Sequence, residues 1–115
     1  MKRFTGHGIG VDQGEVVLSD FESGGPLWAG EGRRQARAGV RFSEPFAATP
    51  AVQVALAVWD ISNAANMRVD VTAEEVTPEG FAVVFRTWAD TRVARVRVGW
   101  TAIGPLGDED EWEVG

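Results

Sequence analysis

Apolar and polar residues alternate with a period of two along most of this chain. Val52, Val54, Leu56 and Val58 interleave with Ala51, Gln53, Ala55, Ala57 and Trp59. Successive side chains of an extended strand point to opposite faces, so this pattern predicts one apolar face backed by mostly small residues. Met67, Val69 and Val71 repeat the period against Arg68, Asp70 and Thr72. Phe81, Val83 and Phe85 do so against Ala82, Val84 and Arg86, and Ala94, Val96, Val98, Trp100 and Ala102 against Arg95, Arg97, Gly99 and Thr101. Earlier, Ala36, Ala38, Val40 and Phe42 alternate with Arg37, Gly39 and Arg41, and Ile9 to Phe21 supplies a first strand, broken by Gly10 and Gly14.

Turn residues separate these runs. Ser43-Glu44-Pro45 and Thr49-Pro50 bracket one connection, and Ser62-Asn63-Ala64-Ala65-Asn66 fills another. Thr77-Pro78-Glu79-Gly80 reads as a turn with proline at its second position and glycine just before the next strand. Six strands at short, regular spacing indicate an antiparallel sandwich or barrel. Helical periodicity is weak, and only Gly32 to Ala38 offers a brief helical turn.

A length of 115 residues predicts one domain. The expected division is an N-terminal arm over 1–8, a β-domain over 9–104 and an acidic tail over 105–115. The formal charge of −6 is concentrated in that tail, where Asp108, Glu109, Asp110, Glu111 and Glu113 leave the body close to neutral. This balance argues against nucleic acid as a partner, since Arg33, Arg34 and Arg37 form too small a basic cluster. No run approaches membrane-spanning length. No apolar stretch of signal-peptide length follows the N-terminus, so no cleavable signal is expected. Cysteine is absent, which excludes disulfides and thiolate metal sites.

Candidate chemistry is sparse. The Gly-rich stretch from Ser23 to Arg33 lacks the Gly-Lys-Ser/Thr of a phosphate-binding loop. It reads either as a cover that tucks Leu27 and Trp28 onto the sandwich or as part of a ligand site. The one histidine, His7, lies in the N-terminal arm, and there is no cysteine nucleophile. Asp60, Asp70 and Asp90 sit at strand ends or exposed positions, where carboxylates ordinarily serve turns. The expectation is therefore a binding protein with no catalytic residues, no metal and no cofactor.

The ordered set Phe42-x-x-Pro45-Phe46, Pro50-x-Val52, Trp59-Asp60, Asn66-x-Arg68-x-Asp70-Val71, Val76-Thr77, Gly80-Phe81, Thr87-Trp88-x-Asp90-Thr91 and Val98-x-Trp100-x-Ala102 resembles the H-type lectin domain, the family of snail agglutinins and discoidin C-terminal domains. The segment from Gly10 to Arg34 resembles bacterial and phage-associated members. The resemblance implies an all-β fold, a six-stranded antiparallel β-sandwich, assembled as a homotrimer. It also implies that galactose- or N-acetylgalactosamine-type glycans bind at protomer interfaces, for cell-surface adhesion.

By position, the family's sugar-contacting arginine falls on Arg68, its tryptophan on Trp88 and an acidic contact on Glu31 beside Gly30. Arginine offers a planar fork of donors for hydroxyls, and an indole offers a flat apolar plate with an N–H. Asn66 and Asp60 are expected to frame the loop that aims Arg68. Asp90 and Thr91 are expected to cap a hairpin turn after Trp88. Arg68 reads equally as an ordinary ion-pair partner, and Trp88 as a core aromatic. The chain departs from the snail members at Ala89 and Ala94, where they carry a histidine and an aromatic, so sugar preference has changed, recognition is weaker, or binding is lost. A structural component of a phage-like particle with a degenerate sugar site is the competing expectation. Location outside the cell or on such a particle follows from the resemblance alone. Arg86, Arg95 and Arg97 stand on polar faces, either as a solvated surface or to meet Asp70, Glu74 or Glu75 of a neighbouring protomer.

Overall fold

The structure, a computed structural model, describes residues 1–4, 8–19 (the side chain of Ser19 apart) and 24–107. His7, Phe21 and the acidic residues from Asp108 onward lie outside them. The alternating runs become six strands: β1 (Ile9–Ser19), β2 (Arg34–Arg41), β3 (Ala51–Ile61), β4 (Val69–Glu74), β5 (Gly80–Thr87) and β6 (Val93–Pro105). One short helix, α1 (Pro26–Ala29), lies between β1 and β2. Two three-stranded antiparallel sheets form, ordered β1-β6-β3 and β2-β5-β4. The fold is a six-stranded antiparallel β-sandwich. The β4–β5 connection is a hairpin, closed where Thr77 donates its backbone N–H to the Gly80 carbonyl at 2.9 Å. The other connections carry the chain between sheets.

Period-two alternation puts the apolar sets face to face. Val96, Val98, Trp100 and Ala102 of β6 meet Phe81, Val83 and Phe85 of β5, with Leu18, Leu27, Phe42, Phe46 and Val93 completing the core. Burying side chains of this size stabilises the fold by roughly 1.5–3 kcal/mol each. At one end of the sandwich Phe42, Phe46, Phe81 and Trp100 pack ring on ring, with centroids 5.0–5.9 Å apart. Gly14 does not break β1. It pairs with Trp100 across the ladder, and a Cβ there would stand 2.9 Å from the indole, so the glycine makes room for the ring.

Two further local expectations are corrected. The helical turn is not at Gly32 to Ala38, most of which is strand β2. It is at Pro26–Ala29, where proline opens the helix at the position its missing N–H suits. On β3 the alternation does not run through Val58. A register shift between Leu56 and Val58 places Val58 opposite Arg97, on the outer face. Such a bulge inserts one residue and reverses the parity beyond it.

The outer faces carry ion pairs within the chain. Arg86 reaches Asp70 (3.5 Å) and Glu74 (2.5 Å), Arg37 pairs with Glu75, Arg95 approaches Asp60 (3.8 Å) and Arg97 approaches Glu15 (3.5 Å). The acids expected to meet a neighbouring protomer, Asp70, Glu74 and Glu75, are engaged by arginines of the same chain. Glu74 accepts from Thr72 Oγ1 at 2.7 Å and from Arg86. These bonds, Thr72's first, hold its carboxyl below the ordinary range.

Candidate functional site

Across from the aromatic end, β5 finishes at Thr87, and the ladder pairs Thr87 with Arg34 of β2 and Val69 of β4. One residue further along each strand come Arg33, Trp88 and Arg68. Trp88 follows the outward parity of Ala82, Val84 and Arg86, opposite to the core side chains. Its side chain is 40% exposed, so it is not a core aromatic.

The backbone after Trp88 is held in an unusual shape. Ala89 adopts φ of +59°, a left-handed conformation that costs a non-glycine residue about 1 kcal/mol. Arg34 stabilises it. All five guanidinium N–H groups of this buried side chain donate to backbone carbonyls: Nε to Gly32 (2.9 Å), Nη1 to Pro26 (3.1 Å) and Leu27 (3.2 Å), Nη2 to Ala89 (3.0 Å) and Thr91 (2.8 Å). The Gly32 N–H adds a second bond to the Ala89 carbonyl at 2.9 Å. Arg34 thereby ties together the end of α1, the Gly30–Gly32 loop and the turn that displays Trp88. The sequence shows Arg34 only as part of a basic cluster and of a resembling motif. The one signal for its role is its phase: it falls in step with Ala36, Ala38, Val40 and Phe42, and a charge on the core parity needs a full set of partners.

Thr91 holds the other side. Its hydroxyl is fully buried, donates to the Asn66 carbonyl at 2.6 Å and accepts from the Arg68 N–H at 3.2 Å. Thr87 Oγ1 donates to the Arg68 carbonyl at 2.6 Å. The expected hairpin cap is therefore corrected. The 88–92 segment crosses between sheets, and Thr91 fastens it to the Asn66–Arg68 loop rather than to its own turn. Asp90 does not cap either. Its carboxylate points outward, 71% exposed, and accepts from Arg68 Nη1 at 2.9 Å. Asn66 acts through its backbone. Asp60 stands near Arg95 and serves that pair.

The structure thus brings Arg68 and Asp90 into contact, with Asn66 behind them and the Gly30–Glu31 loop bound to the same turn through Gly32 and Arg34. Gly30 has a packing role: a Cβ there would lie 2.6 Å from the Pro26 carbonyl and 2.8 Å from Arg34 Cδ. Glu31 is exposed and is not brought into the Arg68–Asp90 pair. Trp88 and Arg68 face different surroundings. Trp88 lines an open groove of about 710 Å³ with Arg33, Arg34, Gln35, Asp70 and Arg86, whereas Arg68 lies outside that lining, beside Asp90. No cluster of metal-ligating residues occurs among the described residues, and none of their helices is long and apolar enough to cross a membrane.

The family model for the H-type lectin domain matches residues 37–103. The chain belongs to the H-type lectin domain family. This is a lectin-like, carbohydrate-binding family, and the matched segment contains Asn66, Arg68, Trp88 and Asp90, while Gly30, Glu31 and Arg34 lie before it. The protein "ATP synthase subunits region ORF 7" of Fuscovulum blasticum is 51% identical over 110 residues, covering 95% of this chain and 96% of that one. A discoidin-1 polypeptide of Dictyostelium discoideum is 32% identical over 77 residues, 66% of this chain but 30% of the discoidin. Discoidin II of the same organism superposes with a TM-score of 0.76 at 26% identity, over 90% of this H-type lectin chain and 39% of the discoidin. The tailspike protein gp49 of Pseudomonas phage LKA1 shares the fold, with a TM-score of 0.59 at 18% identity, over 84% of this chain and 15% of that one.

Proposed function

We propose that this H-type lectin domain binds galactose- or N-acetylgalactosamine-type glycans without catalysis, in clefts between the protomers of a homotrimer, and serves adhesion outside the cell or on a particle surface. The observation that carries the reading is Trp88, an indole left 40% exposed beside a strained turn, whereas every β5 side chain from Phe81 to Phe85 is buried. A partly open apolar plate suits the C–H face of a pyranose. Outside that groove, where the same turn continues, Arg68 supplies fixed donors and Asp90 acceptors for hydroxyls. Their exposed pair is worth about 0–1 kcal/mol, so opening it for a sugar costs little. Gly30 and Glu31, on the loop fastened to the same turn, add acceptors at the rim. A single site of about millimolar strength supplies about 4 kcal/mol, and three linked sites raise avidity by orders of magnitude.

Ala89 and Ala94 stand where snail members place a histidine and an aromatic, and this favours the second reading, an assembly component whose sugar site has decayed. Light scattering and a glycan array on wild type and Arg68→Ala separate the two. A trimer with a galactose-type signal lost in the variant supports the proposal. A trimer with no glycan signal supports the assembly reading, and a monomer at micromolar concentration argues against the cleft.

A further inference from the structure

The groove beside Trp88 is electrostatically lopsided. On the β4 side of the indole, Arg68 is matched by Asp90. On the β2 side the groove is lined by Arg33 and Arg34 with no carboxylate; Arg86 stands on the central β5, and the one carboxylate of the lining, Asp70, is on β4. Asp70 lies 3.5 Å from Arg86, which also holds Glu74. Arg34 spends its donors on neutral carbonyls, so its charge has no carboxylate beside it among the described residues. Arg33 is exposed and has no ion-pair partner among them either. A pyranose lying on Trp88 would meet the surplus guanidinium charge of Arg33 and Arg34 along the β2 side of the groove. Gln35 adds a neutral polar group on that second side.

We infer that the groove selects acidic glycans, with Arg33 as the specificity-determining residue for a sugar carboxylate or sulfate. Guanidinium is the side chain best shaped for such oxyanions, and it keeps its charge at any pH the protein meets. Low-dielectric walls focus on the groove the field of Arg33 and Arg34, the two arginines of its lining that have no carboxylate partner among the described residues. The groove's volume lies within the range of small-ligand sites. This inference rests on the glycan-binding reading of Trp88 and adds the chemical class of the ligand.

Calorimetric titration of the full chain with methyl galactoside and methyl galacturonide tests it, because the two differ only in oxidation at the sixth carbon. The galacturonide should bind about three- to tenfold more tightly in low salt, with the gap narrowing as salt rises. Arg33→Gln should bring the ratio of affinities close to one, and Arg33→Glu should reverse it. Arg37→Gln, which removes the same charge from the same sheet face away from the groove, should leave the ratio in place. Galactoside binding with no preference for the galacturonide overturns the inference and leaves the glycan-binding reading standing. A preference that persists in Arg33→Gln also overturns it. No binding of either sugar overturns both readings.

Discussion

The two ends of β5 solve the same problem in opposite ways. At the Gly80 end the sandwich is closed by rings: Phe81 packs on Phe42 and Trp100, and glycine makes room for the indole. At the Thr87 end it is closed by hydrogen bonds, with Arg34 and Thr91 gathering carbonyls from separate segments. Apolar closure hides its tryptophan. Polar closure leaves its tryptophan outside, because Arg34 and Thr91 meet the inner backbone's hydrogen-bonding needs and no ring is required to fill the space. The end free of that packing duty is the one that displays chemistry.

Substitutions can break this contrast. Phe81→Ala should have the largest effect, about 3–5 kcal/mol in denaturant unfolding, from lost burial plus the cavity left among the rings. It should leave the geometry around Trp88 unchanged, so sugar affinity should hold where the variant stays folded. Arg34→Met keeps the stem and removes every donor, leaving carbonyls unsatisfied. The expected loss is about 2–4 kcal/mol, together with loss of sugar binding as the turn that carries Trp88 loosens. Thr91→Val preserves shape and removes two hydrogen bonds, for about 1–2 kcal/mol in the same unfolding measurement. Arg68→Ala should change stability by less than about 1 kcal/mol, since its partner is exposed, while sharply weakening glycan binding.

The smallest effect concerns pH. The Glu74 carboxyl is held below its ordinary range by Thr72 and then Arg86. A folded-state pKa lower than the unfolded one adds stability that is present above the unfolded value and is lost as pH falls through the folded one. Glu74→Gln should therefore lower stability modestly at neutral pH and flatten the acid limb, so that the two profiles converge below about pH 4. An unaltered acid limb would show that the Thr72–Glu74–Arg86 chain does not persist in solution.

Much of this fold is legible in the chain because alternation is a local signal. Val52 to Leu56, Phe81 to Phe85 and Val96 to Ala102 each declare their faces. Val58 does not, since a bulge is set by pairing with a distant strand and leaves no mark in the pattern. Gly14 looks like a strand breaker because its reason for being small, the Trp100 ring, lies on β6. At the site, Arg68 and Trp88 are marked by their positions in a resembling set, and Asp90 stands close by. The scaffold is harder to see. Arg34 and Thr91 work through carbonyls, which every residue carries, so composition says nothing about where their bonds go. Only phase, a charge and a hydroxyl falling on buried positions, hints at them.

The exposed Trp88 indole, taken as a sugar plate, is the point on which the functional reading turns. Glycan titration of wild type and Trp88→Ala, with thermal unfolding of both, tests it most directly. At least a tenfold loss of affinity, about 1.4 kcal/mol, with an unchanged Tm is the expected result. A variant that binds as tightly as wild type would contradict the account.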